Sequence, residues 1–297
     1  MRNRSRRAGT AFTLLFLLLP SYATLAYVVL PAVWRRHVPP PPQEEFPRLT
    51  YTAEGIPADP INVALVGSEG DLLSAMRAAG WTRADRISLQ SGLRDVRSVL
   101  FDRPYSSAPM STHFVGRRRP QDVAFERAVG KSPRRRHHVR FWRFDGGSAS
   151  GETLWLGAAS FDRGMGISHF TGEVMHHIDP KIDAERDALV RDLARAGRIG
   201  SLAWRADFCP AARGRNGGGD QYETDRRLAM GSIVYSCIPE SQRGCDPFDV
   251  RPNRFVSVDQ VLEPPHSAVE SRLFPPKAPS HPRDREPRVP PTQIGCR

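Results

Sequence analysis

Two histidine doublets, His137-His138 and His176-His177, are the residues best suited to acid–base or ligand chemistry. Imidazole titrates near neutral pH and is a frequent metal ligand. Both doublets fall in stretches with a two-residue apolar period, which reads as β-strand, where adjacent side chains face opposite ways. In the first strand His137 shares a face with Val139 and Phe141, and His138 shares the other with Arg140 and Trp142. In the second, His176 goes with Val174 and Ile178, and His177 with Glu173 and Asp179. The pattern predicts an apolar sheet side carrying His137 and His176. The polar side would carry His138, Arg140, Glu173, His177 and Asp179. His138, His177 and Asp179 are therefore the candidate catalytic residues, and equally the candidate ligands for zinc or another divalent metal. Two imidazoles and a carboxylate are the minimum for either task. Their spacing matches no ligand motif on one element, such as HExxH, and a hydrogen-bonded, half-exposed sheet face would account for the same residues. His169, in the Gly-rich GMGISHFTG, either joins them or sits in a plain loop.

A second chemistry is anion binding. Between Arg117 and Arg143 lie ten basic residues against Asp122 and Glu126, densest at Arg134-Arg135-Arg136. Guanidinium forks match phosphate and carboxylate geometry, so Arg134, Arg135, Arg136 and Arg140 are candidates to hold an anion. The run Gly214-Arg215-Asn216-Gly217-Gly218-Gly219-Asp220 could turn successive N–H groups inward as an anion-binding nest, which nominates Arg215, Asn216, Gly217 and Gly218. It lacks the Gly-Lys-Ser/Thr of a phosphate loop, and neither GxGxxG nor Gly-x-Ser-x-Gly occurs. A solvated loop and a long hairpin are the plain alternatives.

The elements that would position these groups follow from composition and patterning. The chain has 297 residues and a net charge of +11, but six arginines without an acid fall within residues 1–38. Membrane topology explains that excess, so overall charge does not point to nucleic acid. Residues Ala11 to Val33 carry no charge, enough to cross a bilayer core of ~20 helical residues. Arg2, Arg4, Arg6 and Arg7 precede the stretch and Arg35 and Arg36 follow it. The positive-inside rule then places the N-terminus in the cytoplasm and the bulk outside. A cleaved signal is the alternative, with small-x-small sites ending at Ala23 and Ala26. In an oxidising compartment Cys209, Cys237, Cys245 and Cys296 could form two disulfides by any of three connectivities.

The 27 prolines are concentrated in two places. Pro39 to Pro42 open a stiff linker over 39–58, and nine prolines from Pro264 onward mark 263–297 as a disordered tail. That leaves one domain, 59–262. Ile61–Val66 reads as a buried strand, followed by a helix capped by Ser68 and Asp71 and stopped at Gly80. A second helix is expected over Gly92–Phe101. Strands follow at Val123–Phe125, His137–Phe144, Thr153–Phe161 and Gly172–Asp179, the middle pair joined by a Gly/Ser-rich turn. A helix begins at Pro180 under an Asp179 cap and runs to Gly197, with strands near Ile199–Phe208 and Leu228–Ile238. The order predicts an α+β fold: helices packed on a largely antiparallel sheet, after one N-terminal transmembrane helix.

The segments DPINVALVGS, LFDRPYSSAP, GRRRPQDVAFERAVGKSPRRRHHVRFWR, LWLGAASFDRGMGISHFTG, HHIDPKIDAERDALVRDL and GRNGGGDQYETDRRLA, within 59–230, resemble the LssY C-terminal domain family, described as a type I secretion component. The resemblance implies a bacterial envelope protein without a defined reaction. Family members often carry this domain after segments similar to DedA-type transporters and phosphatidic-acid-phosphatase-type enzymes. Catalytic residues of the latter lie in that other segment, so none carries over. What is implied is a periplasmic domain on a single-pass anchor in the bacterial cytoplasmic membrane. The expected role is binding or accessory, toward an anionic lipid, a glycolipid or a membrane-protein partner. The alternative is a metal-dependent or histidine acid–base hydrolase of a phosphorylated envelope lipid, with Arg140 on the phosphate.

Overall fold

The computed structural model describes residues 16–116, 118–130, 133–144 and 153–234. Helix α1 spans Phe16–His37 and is 22 residues long, apolar enough to cross a membrane. Its middle, Leu25–Val29, is π-helical, with the Leu30 N–H bonded back to Leu25. Pro31 explains this, since it has no N–H and its ring crowds the carbonyl four residues back. Three side chains tie α1 to one loop of the domain. Tyr22 Oη donates to the Gly172 carbonyl at 2.6 Å, Trp34 Nε1 donates to that of Phe170 at 2.8 Å, and the Val174 N–H donates to Tyr27 Oη at 3.0 Å.

The domain runs β1 (Leu49–Tyr51), β2 (Pro57–Pro60), β3 (Val63–Val66), α2 (Glu69–Ala78), β4 (Thr82–Arg83), α3 (Leu89–Phe101), β5 (Phe114–Val115), β6 (Arg119–Pro120), β7 (Val123–Ala128), β8 (Arg136–Phe144), β9 (Leu154–Ile167), β10 (Val174–Ile178), α4 (Ile182–Arg195), β11 (Ile199–Arg205), β12 (Arg213–Arg215), β13 (Gln221–Glu223) and β14 (Leu228–Ile233). The main sheet has the order β11-β14-β3-β9-β8-β7-β4, with β10 added to β9. Among the described strands of this sheet only β14 and β3 pair in parallel, so the sheet is largely antiparallel and the fold is α+β as expected.

Strand alternation gives the sheet two unlike faces. One face presents Val63, Leu65, Val139, Phe141, Trp155 and Ala159 to Leu72 and Met76 of α2 and Leu189 and Leu193 of α4. The other is apolar at one end, where Trp142, Leu154, Leu156 and Met230 pack. A small sheet of order β2-β1-β5-β6 also belongs to the domain. Toward the far end of this second face the β8 positions become Arg140, His138 and Arg136, all buried.

The capping box of Ser68 and Asp71 forms as the sequence predicts. The helix after Pro180 starts at Ile182 with Lys181 as its cap residue, and Asp179 accepts the Lys181 N–H instead. Residues 49–58, expected in the linker, supply β1 and the start of β2, with Thr50, Ile56 and Ala58 buried. Pairing with β5 and the burial of these small side chains hold them there. The expected turn between β8 and β9, the tail 263–297, and Cys237, Cys245 and Cys296 lie outside the described residues. Cys209 is buried.

Candidate functional site

β8 and β9 pair so that Arg136 faces Asp162, His138 faces Ser160 and Arg140 faces Ala158. Three polar β8 side chains therefore project together from the second sheet face, over a cleft of about 660 Å³. Arg136 is neutralised from both sides. Its Nη1 lies 2.6 Å from Glu126 on β7 and its Nε 2.9 Å from Asp162 on β9. Arg140 reaches Asp59 of β2 at 3.3 Å and the Ser111 carbonyl at 3.3 Å. Thr50 donates to the Asp59 carbonyl at 2.8 Å and takes a hydrogen bond from Nδ1 of His113 at 3.3 Å.

Burial sets the protonation of this floor. It pushes Asp59 up to about 6 against the pull of Arg140, and Asp162 and Asp220 add to the rise. It pushes His138 down to about 3, assisted by Arg140 and Arg136 and opposed by Asp162. His113 is likewise driven well below the ordinary imidazole value by burial and by Arg140. Asp162 resists its own burial, because His138, His176 and Arg136 hold it below the usual carboxylate range. The floor is thus neutral imidazoles beside a carboxylic acid of intermediate strength. Among the described residues Asp59 Oδ1, Ser160 Oγ and both ring nitrogens of His138 are buried with no hydrogen-bond partner. An orphaned buried polar atom costs roughly 1–3 kcal/mol. Four such atoms around one floor leave hydrogen-bonding capacity that the described residues do not use, with His138 Nδ1 3.4 Å from Asp162 Oδ1.

Helix α3 borders the cleft and is inside out. Ser91, Asp95 and Ser98, on one side of the helix, face the protein, and Asp95 lines the cleft with its own buried unpartnered oxygen. On the opposite side Leu89, Leu93, Val96 and Leu100 are 89%, 66%, 54% and 67% exposed. Ile87, at the cleft, and Phe101 extend this surface. Tyr27 of α1 and Val174 also line the cleft, so the apolar helix and the exposed apolar stripe both reach its mouth.

The sequence-predicted residues fall into separate groups. His138 and Arg140 are in the cavity floor, as their shared face required. His177 is not with them: it pairs with Asp220 at 2.7 Å, next to His169, whose ring centre is 5.9 Å away. His169, His177 and Asp220 bring ligand atoms within 4.8 Å of one another. Asp179 joins neither group, and its carboxylate accepts the Lys181 N–H. His176, expected on the apolar side, lines the cleft and donates from Nε2 to the Pro133 carbonyl, 3.1 Å away.

The three consecutive arginines also separate. Arg134 bonds the Val99 carbonyl, Arg135 stacks over Phe161, and Arg136 is the buried ion-pair partner described above. The Gly-rich nest is filled from within, because Asn216 Oδ1 accepts the Gly218 and Asp220 N–H groups. Arg215 closes the loop onto the Gly219 carbonyl at 2.7 Å. Glycine is needed there for space. A Cβ on Gly217 would strike Thr52 and one on Gly218 would strike Met175. Asp59, His113 and Asp162 escaped the sequence reading, and Asp220 entered it only as the end of the Gly-rich run; of the three missed, Asp162 alone carried a signal, standing in register with Arg136 if the β8–β9 turn is placed correctly.

A family model described as LssY C-terminus matches residues 43–228. The chain belongs to that family. The family match contains every residue of the cavity floor, the whole of α3 and the His169, His177 and Asp220 group. Its start at residue 43 also includes β1 and β2, in keeping with their place in the fold. Neither the curated proteins nor the solved structures yield a match.

Proposed function

We propose that this member of the family is a membrane-anchored binding domain of the bacterial cell envelope, whose cavity takes the polar head of an anionic lipid or glycolipid. In this reading α1 crosses the cytoplasmic membrane, the N-terminus lies inside and the domain is periplasmic. The observation that carries it is the inverted helix α3 beside a floor of unpartnered buried polar atoms. Burying a leucine-sized side chain is worth ~1.5–3 kcal/mol, so a stripe of four left outside is costly unless the bilayer receives it. Arg97 stands on the border of the stripe, placed for lipid phosphates. A headgroup entering past Ile87 would meet neutral His138, which offers one donor and one acceptor, and Asp59. Taking a proton near pH 6, Asp59 would release Arg140 to an anionic group.

Lipid extraction from the full chain, purified in detergent, tests this by mass spectrometry. About one envelope lipid per chain is expected, lost in His138→Phe, which fills the floor, with the circular dichroism unchanged. A lipid-free wild-type chain, or equal lipid in both proteins, removes the proposal. A stoichiometric membrane protein recovered instead would make α3 a protein contact.

One observation favours the hydrolase alternative. Asp59 is pushed up and His138 down within one cavity, the divergence that separates an acid from a base. Release of phosphate from extracted envelope lipid by the wild type but not by Asp59→Asn would select that reading.

A further inference from the structure

The tip of the β9–β10 hairpin and the loop between β12 and β13 assemble three side chains that the cavity does not use. His169, His177 and Asp220 each bring one ligand atom within 4.8 Å of the others. They come from three separate stretches, and each is fixed by its surroundings. The His169 N–H donates to the Gly218 carbonyl at 2.9 Å. The Asp220 N–H donates to Asn216 Oδ1 at 2.8 Å, and Asp220 Oδ2 accepts the Ile178 N–H at 3.1 Å. Missing side chains make the room. A Cβ on Gly166 would strike the His177 ring, and one on Gly219 would come within 2.7 Å of His169 Cβ. Asp220 is 5% exposed in its side chain and His177 19%, while His169 is open to solvent.

We infer that His169, His177 and Asp220 form a site for a divalent transition-metal ion of the zinc type, open to one exogenous oxygen ligand. Two imidazoles and a carboxylate are the donor set of open zinc sites. With no ion, His177 Nδ1–H donates to Asp220 Oδ1 at 2.7 Å, a contact that a bound ion would replace. The Ile178 amide on Asp220 Oδ2 is the outer-shell contact that orients a ligating carboxylate. Exposure of His169 places the remaining coordination position toward solvent, for water or an anionic oxygen. The inference does not depend on what the cavity binds.

The test uses the full chain in detergent, carried on a tag without histidine and stripped with chelator. Zn²⁺ is titrated by calorimetry and Co²⁺ by visible absorbance. One ion per chain is expected, with a rise in melting temperature on Zn²⁺ addition. His169→Ala should weaken binding at least ~10-fold, since even outer-shell losses cost ~10–100-fold. Because that side chain is exposed, the metal-free variant should melt with the wild type. Its melting point should no longer respond to Zn²⁺. No binding by the wild type at micromolar Zn²⁺ overturns the site. Unchanged affinity in His169→Ala overturns it too, and so does binding lost only in His138→Ala, which would put the ion in the cavity.

Discussion

Arg140 meets Asp59 through one carboxylate oxygen only, Nη1 to Oδ2 at 3.3 Å, while Oδ1 stays buried without a partner. Half of the carboxylate is therefore available to a ligand, and its charge is poorly compensated. Burial pushes it up to about 6 from its ordinary 3.8, and this single contact with Arg140 does not offset the rise. A carboxyl group raised in the folded state stabilises the fold below its unfolded value, and that contribution is lost as pH rises through about 6. Asp59→Asn lacks this loss. Its stability relative to wild type should climb between about pH 4 and pH 6 and then level off. Unfolding curves at stepped pH measure it, and parallel stabilities across the window would rule the titration out.

His138 works in the opposite sense. Its folded value of about 3 lies below the ordinary 6.5, so its contribution is full above pH 6.5 and drains away as pH falls toward 3. The groups around it are Asp162 on β9, Arg136 and Arg140 on its own strand, His176 on β10, and His113. His138→Asn should therefore gain on wild type with acidification. In the shared window the two residues offset one another, so the wild-type pH profile is flatter than that of either variant.

Arg136 sits between Glu126 at 2.6 Å and Asp162 at 2.9 Å with only 4% of its side chain exposed. Arg136→Met leaves two buried carboxylates facing each other's charge, and removal of one partner from a buried pair costs ~3–5 kcal/mol. The denaturation midpoint should drop accordingly. Adding Glu126→Gln should restore part of the loss, because the cost is uncompensated charge and not lost packing.

The exposed side of α3 should contact lipid. A polarity-sensitive fluorophore on Leu93→Cys in the full chain, reconstituted in anionic vesicles, should shift to the blue and be quenched by spin-labelled lipid. The same probe on Asp187→Cys should do neither. Equal spectra at both positions would place α3 in water.

Signal cleavage after Ala26 would remove Tyr22 and its bond to Gly172, and would leave Tyr27, bonded to the Val174 amide, as a fraying terminus. An uncleaved anchor keeps the whole apolar stretch, so mass spectrometry of the mature protein should find residues 1–26 in place, and a terminus at Tyr27 would show a signal peptide.

Most secondary structure could be read from the sequence because local rules govern it. Ser68 and Asp71 announced their helix, and the alternation through His137–Phe144 gave the correct face for His138 and Arg140. The site was half legible for the complementary reason. Strand period says which face a residue takes, but not which distant residue meets it. His138 and His177 looked like partners on paper, yet β10 hangs on the distal half of β9 and carries His177 to Asp220, 43 positions along the chain. Asp59 was invisible because it stands just ahead of the expected strand Ile61–Val66 with no pattern of its own, and only the long-range fold drew it under Arg140. Helix α3 was expected over Gly92–Phe101 with no side assigned to it, and the structure points its apolar stripe outward.

β10 carries His176 toward the cavity and His177 toward Asp220, and among the described residues β9 is its one partner strand in the sheet. The two neighbouring imidazoles thus hang from one short ribbon, like the pans of a balance. Neither ring can be re-aimed alone by the backbone, since a one-residue slip of that ribbon would exchange the surroundings of both.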